Sequence, residues 1–239
     1  MRPVSKGKVP YEYTNGQPYG KAVGGLSARI GKYCSYCERR LNNGIEVEHI
    51  QAKDIHDALE RVWSNFLVSC KNCNSTKSKK DPALSDWLIP DRDNTAAAFS
   101  YRKDGVIEVV VGGVVKSCAE KTLDLMNLNK EVRRVLDEQG NLLALDRRTQ
   151  RLEAWVAAER WSTRYASNQS ADLQDAIIEI VKLSGFFSIW MQAFTGFPDM
   201  RRKFIENFPG TEVSCYDAVT TMAVGMHPNS DGWGAGSKL

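Results

Sequence analysis

No apolar run in the 239 residues reaches the length of a membrane span, which argues against a helical membrane protein. The opening Met1-Arg2-Pro3-Val4 leads into polar residues and not into the apolar stretch of a secretory signal, so the cytoplasm is the expected compartment. There is no GxxxxGK[ST] phosphate loop, and any ATP dependence would have to come from a partner. No internal repeat is found. A large excess of one charge is also missing: the net charge of +3 is far below that of a strongly basic nucleic-acid-binding protein. Histidine is scarce, at 3 residues, so each can be weighed singly.

What is present is a cysteine pattern. Cys34/Cys37 and Cys70/Cys73 form two CxxC pairs. Each pair brings two thiolates close enough to share an ion, and two pairs complete the tetrahedral four-sulfur set that structural zinc prefers. Such a site has no open position, so it should hold structure and leave chemistry to other residues. A disulfide framework fits poorly without a secretory signal, and Cys118 and Cys215 lie far away as structural thiols. Redox-active iron on the four thiolates, as in a rubredoxin-like site, is an alternative that metal analysis separates.

Between the pairs, Asn42-Asn43-Gly44 is a turn signal and Ile45-Glu46-Val47-Glu48-His49-Ile50 alternates like a strand, so Leu41 to Ile50 is expected to form a hairpin. Trp63 to Val68 is apolar and leads into Cys70. The stretch Lys71 to Lys80 has partial helical spacing, and Asp81-Pro82 would close it. The expected product is a β-β-α unit with the second cysteine pair at the helix entrance.

These residues together resemble the HNH endonuclease superfamily, in its zinc-knuckle ββα-metal branch. The resemblance rests on Cys34/Cys37, on Glu48-His49 at the acidic-His position, on Asn65 at the middle Asn, and on Cys70-Lys71-Asn72-Cys73-Asn74-Ser75-Thr76-Lys77 at the closing segment. It implies that Glu48 and Asn74 coordinate a divalent ion, that His49 is the general base, and that Asn65 orients the catalytic loop. The family more often has Asp in place of Glu48 and His in place of Asn74. Two oxygen ligands lean toward Mg2+ or Mn2+, with water and phosphate completing the shell. The chemistry has a physical logic of its own. Phosphodiester hydrolysis needs a nucleophile made near neutral pH and a cation for the developing negative charge, and neutral imidazole suits the first task. His56, in a polar stretch, is expected to be solvated, and His227 has no assigned role.

Beside such a motif, Lys77, Lys79 and Lys80 are expected to contact phosphates. Arg2, Lys6, Lys8, Lys21, Arg29 and Lys32 in residues 1–33, with Arg39 and Arg40, would extend a positive track. Tyr11, Tyr13 and Tyr19 are interleaved with it, either to stack on bases or to pack an arm against the body. The expected organisation is a basic N-terminal arm (1–33), the nuclease domain (34–95), a β-hairpin plus a helical partner-docking region (96–226), and a flexible tail (227–239). The fold class is α+β. The hairpin is expected within Ala96 to Val115, and helical patterning from Ala119. One helical segment runs from Lys130 to Tyr165 and weakens near Gly140-Asn141, with Leu142 and Leu145 among its apolar positions. Another covers Asp172 to Leu183. The aromatic stretch Gly185 to Phe194 is read as core, with a partner surface as its alternative.

A narrower resemblance covers most of the chain. Met1 to Gly7, Val47-Glu48-His49-Ile50, Pro90 to Thr95, Ser184 to Phe187 and Phe208 to Thr211 are similar to PtuB-type HNH proteins of Septu and retron-linked antiphage systems. This implies that the helical half docks onto a PtuA-like ATPase that controls cleavage of nucleic acid, DNA being the first expectation. The alternative from another class is a zinc-stabilised nucleic-acid-binding module without catalysis.

Overall fold

The structure, a computed structural model, describes residues 1–130 and 146–239. The expectation for Gly140-Asn141, Leu142 and Leu145 lies outside the described residues. Helix α1 (Ala22–Ile30) repeats apolar residues every four positions, and Ala22, Leu26 and Ile30 are buried accordingly. Gly31, at φ +77°, ends it and turns the chain into the first cysteine pair.

Strand β1 (Ile45–His49) pairs antiparallel with β2 (Phe66–Cys70), with Ile45 opposite Cys70, Glu48 opposite Leu67 and His49 opposite Phe66. The expected hairpin over Leu41–Ile50 is therefore corrected: the partner of β1 lies beyond the next loop. Residues before Asn42 are engaged in the cysteine turn, where the Cys34 N–H reaches Arg39 O and the Leu41 N–H reaches Lys32 O. The fully buried Phe66-Leu67-Val68-Ser69-Cys70 run supplies the better pairing edge. Helix α2 (Lys71–Lys77) follows at once, with Cys70 as its N-cap. The β-β-α unit is thus present, with the second cysteine pair across the strand-to-helix junction.

The chain continues through a one-turn helix α3 (Thr95–Ala98) into the hairpin β3 (Phe99–Tyr101) and β4 (Ile107–Val109), turning at Lys103-Asp104-Gly105. Five longer helices complete the described chain. They are α4 (Gly113–Met126), α5 (Arg147–Ser167), α6 (Ala171–Ser184), α7 (Phe187–Ala193) and α8 (Pro198–Asn207). The class is α+β, as expected. Trp190, Phe194 and Phe204 are buried and pack ring against ring, and buried Phe187 packs on Phe208 and Tyr216. Each such side chain contributes roughly 2–3 kcal/mol by burial, so the aromatic stretch is core.

Two expectations about the ends are overturned. Arg2 is buried, and its guanidinium donates to Ile30 O, Pro209 O and Thr211 Oγ1 at 2.7, 2.7 and 2.8 Å. Lys6 is also buried. It pairs with Asp91 at 2.6 Å and donates to Phe66 O at 2.7 Å. Neither can meet phosphate, because each charge is already held by acceptors that water no longer reaches. Residues 227–239, whose Gly, Asn and Ser content suggests a loose tail, pack against the Asp91–Asn94 turn. Leu239 O accepts from the Asn94 and His227 N–H groups, and Lys238 pairs with buried Asp93 at 2.8 Å. His227 is itself buried, its ring bonded to Val4 O and the Asn229 N–H, which gives it a structural place.

One joint ties the cysteine turn to the helices. Gly185, at φ +72°, sits between α6 and α7 against Glu38 and Arg39. A Cβ there would lie 2.6 Å from Glu38 O, so only glycine fits. The Phe186 N–H donates to that same oxygen, and the Glu38 carboxylate accepts from the Ser188 N–H and Oγ at 3.1 and 2.7 Å.

Candidate active site and metal centre

The four cysteines converge. Their sulfurs all lie within 4.8 Å of one another, and Cys37 Sγ is 3.8 Å from Cys70 Sγ. A tetrahedral ion with metal–sulfur bonds of about 2.3 Å requires sulfur–sulfur edges of about 3.8 Å, so the set fits zinc. The surroundings suit the two negative charges that four thiolates and one divalent ion would leave: Arg147 Nη1 lies 3.4 Å from Cys73 Sγ, and half-buried Arg39 also faces the thiols. The Cys73 N–H points at Cys70 Sγ, as helix-entrance amides do toward anions.

Beside β1 and α2 lies a cleft of about 630 Å³, lined by Glu46, Glu48 and His49 from β1, Asn74 from α2, and Tyr19 and Lys53 from the flanking segments. His49 is largely buried, with its ring edge-to-face against Tyr19 and Phe66. Its Nε2 lies 2.8 Å from Glu60 O. A carbonyl only accepts, so the neutral ring carries its proton on Nε2 and keeps the Nδ1 lone pair. Burial lowers the His49 pKa, opposed by the Glu60 carbonyl, and the neutral form prevails at pH 7.

Glu48 is buried against Lys77. Lys77 Nζ lies 3.0 Å from Glu48 Oε1 and donates to His49 O at 2.6 Å. Burial pushes the Glu48 carboxyl up to about 7 despite the ammonium. The reading of Lys77 as a phosphate contact is therefore corrected. It lies four residues after Cys73 on α2, on the same inward face, and is 1% exposed. Lys79 and Lys80 are exposed, and Lys79 pairs with Asp54 at 2.8 Å.

Asn65 is buried behind the site. Its Oδ1 accepts from the Gln51 N–H at 2.8 Å, and its Nδ2 donates to Gln51 O and Leu59 O at 2.9 and 3.3 Å. It thus pins both ends of the loop that carries Glu60 to the His49 ring. His56, expected to be solvated, is half-exposed and bonds Asp81 Oδ2 at 2.6 Å, while Asp81 Oδ1 accepts from the Ala52 N–H. Of the interleaved tyrosines, Tyr13 packs on Trp63 and Phe66, Tyr11 is exposed, and Tyr19 enters the cleft, where Lys53 Nζ lies 3.2 Å from its hydroxyl. Glu46 and Lys53 were not singled out by the sequence, whereas Tyr19 was, as a residue to stack on bases or pack an arm. The two-residue strand period that puts Glu46 on the face of Glu48 was the one available signal.

A structural cysteine cluster beneath a strand pair and helix, with an acidic-His pair opening on a cleft, is the arrangement of an HNH endonuclease domain, and residues 34–80 match the HNH endonuclease family. The chain is also similar to the Septu protein PtuB of Bacillus thuringiensis, with 33% identity over 122 residues. That similarity covers 48% of this chain and 43% of the relative, less than half of each. Among the described residues, no helix is long and apolar enough to cross a membrane.

Proposed function

We propose that this chain is a metal-dependent endonuclease that hydrolyses nucleic-acid phosphodiester bonds, with DNA as substrate, acting in antiphage defence under a PtuA-like ATPase partner. The observation that carries the reading is the His49 tautomer. Its Nε2–H is committed to Glu60 O, which leaves Nδ1 free to take a proton in a cleft that Glu48 and Asn74 also line.

The residues fit a hard cation as well as a base. Glu48 Oε1 is buried, makes no hydrogen bond, and is compensated only by the Lys77 charge. Glu48 and Asn74 would hold Mg2+ or Mn2+, which when bound stabilises charge on the phosphate and leaving oxygen. His49 accepts the proton of the attacking water. Asn65 keeps the Gln51–Leu59 loop, and with it Glu60 O, where the His49 ring needs it. Exposed Lys71, Lys79 and Lys80 attract the substrate backbone. Cys34, Cys37, Cys70 and Cys73 hold zinc and fix α2 against the strands. The similarity to Septu PtuB supports the defence setting and the ATPase partner.

The test is plasmid cleavage with Mg2+ or Mn2+, with the wild type and His49→Ala, alone and with a PtuA-like ATPase. Cleavage that requires both the ion and His49 supports the enzyme. Salt-dependent binding of DNA and RNA with no cleavage under any condition would leave a binding module instead.

A further inference from the structure

We infer that Glu46 is a positioning residue that turns the Asn74 amide so that its oxygen, and not its nitrogen, faces the cleft. The inference rests on the proposed reading of Asn74 as an oxygen ligand. Strand β1 projects Glu46 and Glu48 from the same face toward α2. Asn74 Nδ2 lies 2.6 Å from Glu46 Oε2. The contact is a donation from the NH2 end of the amide to a carboxylate oxygen, which accepts. The amide plane is rigid, and Oδ1 is thereby sent away from Glu46.

This matters because an amide, unlike a carboxylate, has a wrong end. An Asp at position 74 would show an oxygen to a cation in either orientation. An asparagine flipped by 180° would show it two N–H donors and repel it. With Asn at position 74, the fold needs something that holds the amide one way, and Glu46 is the acceptor that does so. Among the described residues, Glu46 has no ion pair that would divert its carboxylate.

Two conservative variants separate the hydrogen bond from the charge. Glu46→Gln keeps an acceptor oxygen at the same reach, loses the charge, and adds an NH2 end that can turn toward Asn74 instead. Glu46→Asp keeps the charge and withdraws it by one methylene, out of reach of Nδ2. Mn2+ binding to the zinc-loaded chain is followed by the loss of the free-ion EPR signal, with zinc content and melting temperature as controls on folding. Glu46→Asp is expected to bind Mn2+ about tenfold more weakly, the usual cost of losing a residue that orients a ligand. Glu46→Gln, which accepts from Asn74 in only one of its own two amide orientations, is expected to bind more weakly than the wild type and more tightly than Glu46→Asp. In cleavage assays, Glu46→Asp should need more Mn2+ for half-maximal rate and approach the wild-type kcat at saturation. Equal binding by all three proteins would overturn the inference. Weak binding by Glu46→Gln with normal binding by Glu46→Asp would also overturn it, and would make Glu46 a charge that attracts or ligates the ion. Wild-type protein that binds no Mn2+ would overturn the underlying ligand reading, an outcome visible without either variant.

Discussion

Replacing Lys77 by Met tests the electrostatics of the site most sharply. The change keeps a linear side chain in the same tunnel and removes an ammonium that is 3.0 Å from Glu48 Oε1 and 2.6 Å from His49 O. Both partners of the ion pair are buried, so Glu48 would be left as an uncompensated charge. Removing one member of such a pair costs about 3–5 kcal/mol when the other stays ionised. Glu48 has an escape, which is to bind a proton. Its carboxyl is already pushed up to about 7 with Lys77 present, and without the ammonium it moves higher still. A carboxyl whose pKa is raised by folding adds stability below its unfolded pKa and loses that contribution as pH rises through the folded value. The variant should therefore be most damaged at high pH. The expected deficit relative to wild type is about 3 kcal/mol at pH 8 and under about 1.5 kcal/mol at pH 5, where only the bond to His49 O is missing. Urea denaturation of the zinc-loaded proteins, without Mg2+ or Mn2+, reads this as a midpoint shift of roughly 1 M at pH 8 that narrows toward pH 5. A deficit that is flat from pH 5 to pH 8 would refute the pairing argument. A deficit near zero throughout would mean that Lys77 does not compensate Glu48.

Asn65→Ala removes a side chain that donates to or accepts from three backbone groups, and should cost about 1–3 kcal/mol by leaving the Gln51 amide and carbonyl unpaired. It should lower kcat far more than it changes DNA affinity, and a fall in affinity with unchanged kcat would contradict its place behind His49. Lys71→Glu and Lys79→Glu should weaken DNA binding and reduce the slope of log K against log salt by about 1 for each phosphate no longer neutralised, as measured by fluorescence anisotropy. An unchanged slope would remove these lysines from the interface. Gly185→Ala places a methyl 2.6 Å from Glu38 O at φ +72° and should destabilise the chain by more than about 1 kcal/mol, seen as a lowered melting temperature; an unchanged value would mean the joint is loose.

The site was more legible in the sequence than its surroundings were. Cysteine spacing gives the sulfur cluster, and the acidic-His pair on an alternating strand gives the cleft, because both are local patterns with strict geometric demands. Lys77 could have been placed correctly, since it is one helical turn from a cysteine that must face inward. It reads as a surface charge only if composition is consulted before helix period. Arg2 and Lys6 were beyond reach. Their acceptors are mostly backbone carbonyls at Ile30, Phe66 and Pro209, which no residue pattern near them announces. The packing of residues 227–239 fails to announce itself for the same reason, since its partners at Asn94 and Val4 are also largely backbone groups. The pairing of β1 with β2 was masked by a genuine turn signal at Asn42-Asn43-Gly44, which ends the cysteine turn and does not close a hairpin.

The seat of Arg2 has a consequence for the order of events during synthesis. Everything needed to gather the four sulfurs and pair β1 with β2 has been translated by Lys77. Pro209 and Thr211, which accept from the Arg2 guanidinium, follow much later, and at ribosomal speeds the wait is on the order of 7–27 s. Over that interval Arg2 still has Ile30 O to donate to, but not Pro209 O or Thr211 Oγ1, and Lys6 lacks its partner until Asp91 emerges. The β-β-α unit therefore spends its first moments with the N-terminal segment only partly anchored. A chain halted before residue 209 would carry every proposed catalytic side chain while the Arg2 guanidinium still lacked Pro209 and Thr211 as acceptors.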